Sequence, residues 1–247
     1  MSDFFSTITV PILNDNPFGV DVNHDVDYEA LKVEMGKLGD IDVGAVESLS
    51  VKILSEKSKD VRAMSFLAYA MLRKGDHGRL ADAFCALADY CQESYDKIFP
   101  TRDGAKLSAL RWLSEARFTS ACPKVEASAQ DAEHVARLLA ALLKLKTALE
   151  KRFASVGAPF PLLLYKRALE WESAIKSALE VKIETAPVSI YGDAKKGDVV
   201  NAATAANAGL VLAERGGQTV SMAVNADGRR EIARCLKRIA EVLEGGI

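Results

Sequence analysis

The sequence contains few of the residues that build disulfide frameworks, metal centres and reactive sites. Its 247 residues include four cysteines, three histidines and two tryptophans. The few cysteines, mostly on predicted apolar helix faces, are typical of a cytoplasmic protein. The histidines, His24, His77 and His134, lie far apart, and none stands in a His-Glu-x-x-His zinc motif. No serine-hydrolase elbow or dinucleotide-binding fingerprint occurs. The sequence therefore predicts no catalytic residue, no metal site and no cofactor, and we expect a protein that is not an enzyme.

Long apolar runs and an excess of one charge are also missing. The longest strongly apolar stretch, residues 153–165, is broken by Gly157, Pro159 and Pro161 and is shorter than the roughly 20 residues that a membrane span needs. The first residues, Met1–Phe5, lack the basic start and apolar core of a secretory signal. A net charge of -2 gives no general attraction to nucleic acid. We expect a cytoplasmic protein without membrane insertion or nucleic-acid binding.

What the chain does have is apolar residues at helical spacing, most clearly between Glu56 and Leu113. The pentapeptide Ser58-Lys59-Asp60-Val61-Arg62 predicts a helix start, because the Ser58 hydroxyl can accept first-turn amide hydrogens and Asp60 suits the positive end of the helix dipole. Gly75 predicts its end. The apolar positions of this helix are Val61, Met64, Ala68, Met71 and Leu72.

Two more helices are predicted before Leu113. The first runs from about Asp76 to Pro100, where proline stops it, and the second begins near Asp103. Short connections predict that these helices are antiparallel neighbours. Their apolar residues are Leu80, Phe84, Leu87, Cys91, Tyr95 and Ile98, followed by Leu107, Leu110, Trp112 and Leu113.

The segment from Asp15 to Asp42 is acidic, with eight carboxylates and two lysines. It is either a solvated surface, which is the commoner case, or a docking face for a basic partner. A calcium loop from Asp21 to Lys32 is disfavoured, because Val26 replaces the required glycine and Lys32 the final glutamate. Helices are predicted over about 27–38 and 43–55, with Leu31, Met35 and Leu38, and then Val46, Leu49, Ile53 and Leu54, as their apolar positions.

Beyond Pro123 the pattern predicts a pair of long helices. Ser128 and Asp131 have capping-box spacing, and Pro161 suits the first turn of the second helix. The first helix carries Val135, Leu138, Leu142, Leu145 and Leu149, which is either a core stripe or, less favourably, an exposed dimer seam. The second carries Leu164, Ala168, Trp171, Ile175 and Leu179. Residues 184–225 are rich in alanine, glycine and asparagine and predict a linker, with one weak helix between Val199 and Ala213. A final helix is predicted from Asp227 to Leu243.

Four sequence blocks together resemble one known domain. They are Asn16-Pro17-Phe18-Gly19-Val20-Asp21, the Ser58–Arg62 pentapeptide, Tyr95-Asp96-Lys97-Ile98-Phe99-Pro100 and Ala109-Leu110-Arg111-Trp112-Leu113. This pattern is similar to the ImpA N-terminal domain of the TssA proteins of the bacterial type VI secretion system. Phe18, Val20 and Tyr95 depart from it, standing where the family usually has a small residue, an acidic residue and a tryptophan. The Arg152-Phe153 pair also resembles TssA proteins.

The helical pattern and the resemblance together predict an all-α fold, a helical bundle followed by a long antiparallel helical hairpin. We expect an ImpA N-terminal-like domain over 1–125, the hairpin over 126–183, the linker over 184–225, and the first helix of a following, truncated domain over 226–247. The family-motif residues, with structural or interaction roles, are Pro17, Gly19, Asp21, Ser58, Lys59, Asp60, Arg62, Tyr95, Pro100, Trp112 and Leu113.

The implied function is that of a non-catalytic assembly component. TssA-like proteins contact the baseplate, the tail tube and sheath, and the membrane complex, and they help initiate or cap sheath growth. One alternative is an accessory sheath-end protein that shares the first domain. Others are a helical dimerisation scaffold, and a hydrolase in which Cys91 meets His77 or His134 in a polar pocket.

Overall fold

The computed structural model describes residues 3–13, 15–122, 127–154, 157–185, 210–215 and 218–223. The chain divides into two units, Met1–Ala186 and Pro187–Ile247. The described part of the first unit is helical, with a 3-10 turn at Ala129–Asp131. Its helices are α1 Asp3–Thr9, α2 Val26–Gly36, α3 Val43–Glu56, α4 Val61–Lys74, α5 His77–Glu93, α6 Asp103–Trp112, α7 Ala116–Thr119, α8 Ala132–Arg152 and α9 Leu162–Thr185.

Four aspartates set the starts of α2 to α5. Asp25, Asp42, Asp60 and Asp76 are the N-cap residues, and each side chain accepts a hydrogen bond from a first-turn amide. The prediction that Ser58 caps a helix was therefore wrong, because the helix begins three residues later, at Val61, where Asp60 takes that role. These four carboxylates of the first half are thus used to start helices.

The ends of these helices follow local chemistry. Gly75 closes α4 with φ 68°, a left-handed conformation that glycine adopts without steric cost, which confirms its predicted role. By contrast, α5 ends at Glu93 and not near Pro100 as predicted. Tyr95 and Ile98 are buried, but they belong to the turn that follows the helix. Similarly, α2 ends at Gly36, and Leu38, predicted as a core position, is fully exposed.

The core centres on α4 and α5. Helix α4 packs against α3, α5 and α6, while α5 packs against α1 and α8. The stripe Val135, Leu138, Leu142, Leu145 and Leu149 is buried on α8, so its interpretation as core is correct and the exposed dimer seam is excluded. On α9, residues Leu164, Ala168, Trp171 and Ile175 are buried as predicted, but Leu179 is exposed.

Three ion pairs connect α8 to α5 and the turn that follows it. Arg137 pairs with Asp82, Lys144 with Asp89 at 2.7 Å, and Arg152 with Asp96. The partners advance together along both segments, so α5 and α8 run in the same direction. Helix α9 then packs on α8. The capping box of Ser128 and Asp131 is present at the start of this region, as predicted.

The described residues of the second unit form two strands. β1 Leu210–Arg215 pairs antiparallel with β2 Gln218–Ala223, with Leu210 opposite Ala223 and Arg215 opposite Gln218. The all-α prediction therefore holds for the described residues 3–185 and not for this strand pair. The weak helix predicted up to Ala213 is wrong over 210–213. The helix predicted from Asp227 to Leu243 lies outside the described residues.

Among the described helices, none combines enough length with enough apolar character to cross a membrane.

Candidate functional site

Three of the four motif blocks are joined by backbone hydrogen bonds, although they are far apart in sequence. Val20 N–H donates to the Lys57 carbonyl oxygen at 3.0 Å, and Lys59 N–H donates to that of Phe18 at 2.9 Å. On the other side, Phe99 N–H donates to Lys59 O at 3.0 Å and Val61 N–H donates to Phe99 O at 2.8 Å. The segment 57–61 thus lies between the other two. We call residues 17–21, 57–62 and 95–100 the motif junction.

Gly19 allows the close backbone approach in the motif junction. Its φ is 76°, and an added Cβ would lie 2.0 Å from the Lys57 carbonyl oxygen. Any other residue would therefore be strained and would also clash with backbone. Pro17 is exposed, and its carbonyl oxygen accepts from Ile12 N–H at 3.1 Å. The role of Gly19 is to bring the first motif block against the second.

Arg62 and Asp60 form the charged centre of the motif junction. The Asp60 carboxylate is buried, and Arg62 Nε donates to its Oδ1 at 3.0 Å while Nη2 donates to its Oδ2 at 2.5 Å. Arg62 Nη1 donates to Asn23 Oδ1 at 2.6 Å, and the guanidinium lies 4.4 Å from the centre of the Tyr28 ring. Burial alone would lower the Arg62 pKa, but the Asp60 carboxylate outweighs it, so the pKa is raised. Arg62 therefore joins the start of α4 to α2.

Asp21 and Ser58, two other motif residues, differ in exposure. Asp21 is exposed, accepts from Asn23 Nδ2 at 2.9 Å, and lies 3.7 Å from Arg62 Nη2. Ser58 is buried, and its hydroxyl finds no hydrogen-bond partner among the described residues. Its backbone N–H donates to Ile53 O at 2.8 Å, so Ser58 contributes through its main chain at the end of α3.

Lys59 is a buried lysine whose ammonium group bonds to backbone. Nζ donates to the Ile8 carbonyl oxygen in α1 at 3.0 Å and to the Leu54 carbonyl oxygen in α3. Burial lowers the pKa of Lys59 to about 8. Carbonyl oxygens near helix C-termini carry partial negative charge, which favours a cation there. Lys59 thereby connects α1 to the end of α3 through hydrogen bonds.

Two cationic side chains lie against the Tyr95 ring, one from α6 and one from α8. Lys106 Nζ lies 4.5 Å and the Arg152 guanidinium 3.9 Å from the ring centre, and Phe153 packs edge-on at 5.8 Å. Burial raises the pKa of Tyr95. The Arg152-Phe153 pair at the end of α8 therefore packs on the third motif block.

Sequence reasoning missed Lys106. Its Nζ donates to the Tyr95 carbonyl oxygen at 2.6 Å, and its side chain is 1% exposed. The signal was present in the spacing, because Lys106, Ala109 and Leu110 lie on one face of α6, Leu113 follows at the same spacing just after the helix, and all four are buried. A lysine in an apolar stripe predicts a buried cation with backbone acceptors.

Trp112 and Leu113 lie apart from the motif junction, at the other end of α6. The Trp112 ring packs edge-on with Phe66 at 5.1 Å, Tyr69 at 5.9 Å and Phe118 at 5.8 Å. Leu113 is buried beside it. Pro100, also buried, follows Phe99 through a cis peptide bond. The Trp112 ring therefore supports α4 and α7 by packing.

Two residues considered above for catalysis, Cys91 and His77, are buried. Cys91 is buried, and burial raises its pKa to about 12, so its thiol stays protonated. His77, one of its proposed partners, has Nδ1 3.3 Å from Asp131 and its ring against Trp171. Within the described residues, no cluster of three histidine, cysteine or carboxylate side chains is arranged to hold a metal ion. Asp25 and Asp27, which lie within the disfavoured calcium loop, both bind Lys57.

Comparisons with known proteins agree with the motif blocks. Residues 9–115 match the family described as ImpA, N-terminal, type VI secretion system. The predicted resemblance to that domain is thus confirmed over these residues. The chain is also similar to a solved structure from Burkholderia cenocepacia, the N-terminal domain of the TssA component that includes the conserved ImpA_N region. The two share 17% identity with a TM-score of 0.48, over 73% of this chain and 94% of that one. No curated protein matches the chain.

Proposed function

We propose, from the premise that residues 9–115 carry an ImpA N-terminal domain, that the protein is a non-catalytic assembly component of a bacterial type VI secretion system. It acts by binding other proteins of that system. Its contacts are with the baseplate, the tail tube and sheath, and the membrane complex, and through them it initiates or caps sheath growth. The observation that carries the proposal is the family match over residues 9–115.

The motif residues support this function by holding the domain together. Lys59, Asp60, Arg62 and Gly19 use their distinctive chemistry on internal partners: carbonyl oxygens, a paired charge and a close backbone approach. These residues therefore shape the surface of the domain, and partner binding falls to the outer faces of the helices. No step of this function requires a reacting group.

The domain boundaries belong to the same proposal. Residues 1–125 form the ImpA N-terminal-like domain, and residues 126–183 form a helical hairpin extension fixed to it by the α8 ion pairs. Residues 184–225, which include the strand pair of β1 and β2, connect to a following domain that begins at 226. An accessory sheath-end protein with the same first domain is the second candidate, favoured by the same match.

Binding to purified secretion components tests the proposal. The full chain is immobilised, and baseplate, tail-tube, sheath and membrane-complex proteins are passed over it separately. We expect saturable binding of at least one. The variant Gly19→Val disrupts the motif junction. It should therefore reduce both that binding and the thermal stability of the chain. A chain that melts cooperatively and binds none of the components would overturn the proposal.

A test in cells separates the two candidates. An assembly component that initiates the tail is needed for any sheath to form, whereas a sheath-end protein is not. Fluorescent sheaths are therefore counted in cells that lack the protein. Loss of all sheaths supports initiation, and sheaths of normal number but altered length or lifetime support the sheath-end role.

A further inference from the structure

Helix α1 covers part of the core although few of its residues are buried. Of its seven residues, Phe5 and Ile8 are buried, whereas α4 and α5 bury ten residues each. Phe4 is partly buried against the same core, so the apolar residues of α1 stand at i, i+1 and i+4. A helix of two turns is not stable alone in water, so α1 is helical because it is docked.

Two cationic side chains of the bundle contact α1, one at each turn. Lys59 Nζ donates to the Ile8 carbonyl oxygen at 3.0 Å, at the C-terminal turn. The Arg79 guanidinium of α5 lies 4.9 Å from the centre of the Phe4 ring, at the N-terminal turn. The helix itself packs on α3 and α5. We call the surface of α3 and α5 under α1, together with Lys59 and Arg79, the α1 groove.

Lys59 is held in the α1 groove by residues other than those of α1. Its Nζ donates to the Leu54 carbonyl oxygen near the end of α3. Its backbone N–H donates to Phe18 O at 2.9 Å, and its own carbonyl oxygen accepts from Phe99 N–H at 3.0 Å. These three bonds do not depend on α1. The donor that meets the end of α1 is therefore in place whether or not α1 is docked.

The groove and the helix that fills it belong to different parts of the chain. The family match covers residues 9–115, which include α3, Lys59 and α5. Helix α1, Asp3–Thr9, lies before that match except for its last residue. The matched domain thus supplies the groove, and a segment that precedes the match supplies the occupant.

We propose that α1 is a reversible lid, and that the α1 groove, when α1 opens, binds the carboxyl-terminal helix of a partner protein. Such a helix carries apolar side chains at i, i+1 and i+4, as α1 does, and its terminal carboxylate takes the place of the Ile8 carbonyl oxygen at Lys59. While it is closed, α1 competes with the partner and lowers its apparent affinity. The inference does not depend on the secretion role, because it follows from α1 and its groove.

Two arguments select this occupant over a second copy of the chain. The α1 of a second copy makes the same contacts as the chain's own α1, which is tethered beside the groove. Tethering gives an effective concentration of about millimolar, so an identical helix at micromolar concentration cannot displace it. A terminal carboxylate carries a full negative charge and binds the Lys59 ammonium more strongly than a carbonyl oxygen does, which lets a partner helix compete.

Hydrogen exchange of the full chain, measured by mass spectrometry, tests the opening of α1. The amides of this helix, with that of Val10, which donates to Ser6 O at 2.9 Å, should exchange at least about ten-fold faster than those of α4. Low urea should speed exchange in α4 and leave α1 unchanged, because local opening exposes little surface. Leu67→Val, at a buried position of α4, should likewise speed exchange in α4 and not in α1.

A labelled peptide tests the groove as a binding site. The probe has the sequence of residues 1–8, a fluorescein at its N-terminus and a free carboxylate after Ile8. The matched controls are the same peptide with an amidated C-terminus, and one that carries Phe5→Ser. Fluorescence anisotropy with the full chain should give a Kd at least about ten-fold lower for the carboxylate peptide than for either control.

Variants of the chain test whether α1 competes with the peptide. Ile8→Ala weakens the docking of the chain's own α1 and leaves the groove intact, so the peptide Kd should fall at least about ten-fold. Phe4→Ala, which removes the ring beside Arg79, is a milder variant that should act in the same direction. The control Val10→Ala, at a position that is 44% exposed just beyond α1, should leave the Kd unchanged. Thermal melting verifies that each variant is folded.

Four results would overturn the proposal. The first is that urea and Leu67→Val speed exchange in α1 as much as in α4, because α1 would then open only with the whole bundle. The second is equal affinity for the carboxylate and amidated peptides, and the third is equal peptide affinity of the parent chain and Ile8→Ala. The fourth is self-association of the parent chain, seen by sedimentation and lost in Phe5→Ser, because a second copy would then be the occupant.

Discussion

The ammonium group of Lys59 is bonded to the carbonyl oxygen of Ile8, a residue 51 positions earlier in the chain, at 3.0 Å. It bonds at the same time to the carbonyl oxygen of Leu54. One buried cation thereby satisfies oxygens near the ends of α1 and α3, which the helices themselves leave without intrahelical donors. Position 59 is thus a point of attachment for the N-terminal helix.

Replacing Lys59 with methionine keeps most of the volume of the side chain and removes the donor. Two buried carbonyl oxygens lose their partner, so we expect the free energy of unfolding to fall by about 2 to 4 kcal/mol. Urea denaturation followed by circular dichroism measures this change. Lys166→Met, at an exposed position of α9, is the control and should shift stability by less than about 0.5 kcal/mol. Equal midpoints for the two variants would contradict the role of Lys59.

The same group gives stability a pH dependence. Because its pKa is about 8 in the folded chain and 10.5 when unperturbed, the unfolded chain binds more protons between these values. Stability contributed by this group therefore rises with pH across that window. We expect the difference in unfolding free energy between the parent and Lys59→Met to grow from about pH 7 to about pH 10. Urea denaturation at both pH values tests it, and a constant or shrinking difference would refute it.

The buried Asp60 carboxylate depends on Arg62 for its neutralisation. Arg62→Ala leaves that charge unpaired and should cost about 3 to 5 kcal/mol of unfolding free energy. In an Asp60→Ser background the cost should fall by at least about 1 kcal/mol, because serine still caps α4 and no buried charge remains. Urea denaturation of the four chains gives the coupling energy. Strictly additive effects would show that the two side chains do not depend on each other.

Gly19 and Gly36 should differ in how substitution by alanine changes the stability of the domain. Gly19→Ala puts a methyl group into the Lys57 carbonyl and keeps an unfavourable φ, so we expect a loss of more than about 2 kcal/mol. Gly36→Ala, at the end of α2, meets nothing within 4 Å and should be neutral or stabilise slightly. Thermal melting compares them. Similar midpoints would mean that residues 17–21 do not pack closely on residue 57.

Helix positions were predictable because spacing and capping are local. The α8 stripe and the capping box of Ser128 and Asp131 follow from neighbouring residues alone. The start of α4 was misplaced because Ser58 and Asp60 can both cap a helix, and the choice depends on the pairing of residues 57–61 with distant segments.

Long-range relationships were not predictable in the same way. Nothing local in the sequence connects Lys59 to Ile8 or Gly19 to Lys57, since backbone acceptors carry no residue signature. The strand pair was missed because alanine content outweighed two better signals, the Val and Leu residues of 210–215 and the Gly216-Gly217 dipeptide, which is typical of hairpins.

The three ion pairs of Arg137, Lys144 and Arg152 have a mechanical consequence. Their partners, Asp82, Asp89 and Asp96, are spaced by seven residues, close to two helical turns. Sliding α8 by one turn, about 5.4 Å, would break all three pairs together. The ion pairs therefore fix the register of α8 along α5, and with it the position of Arg152 at the turn that contains Asp96.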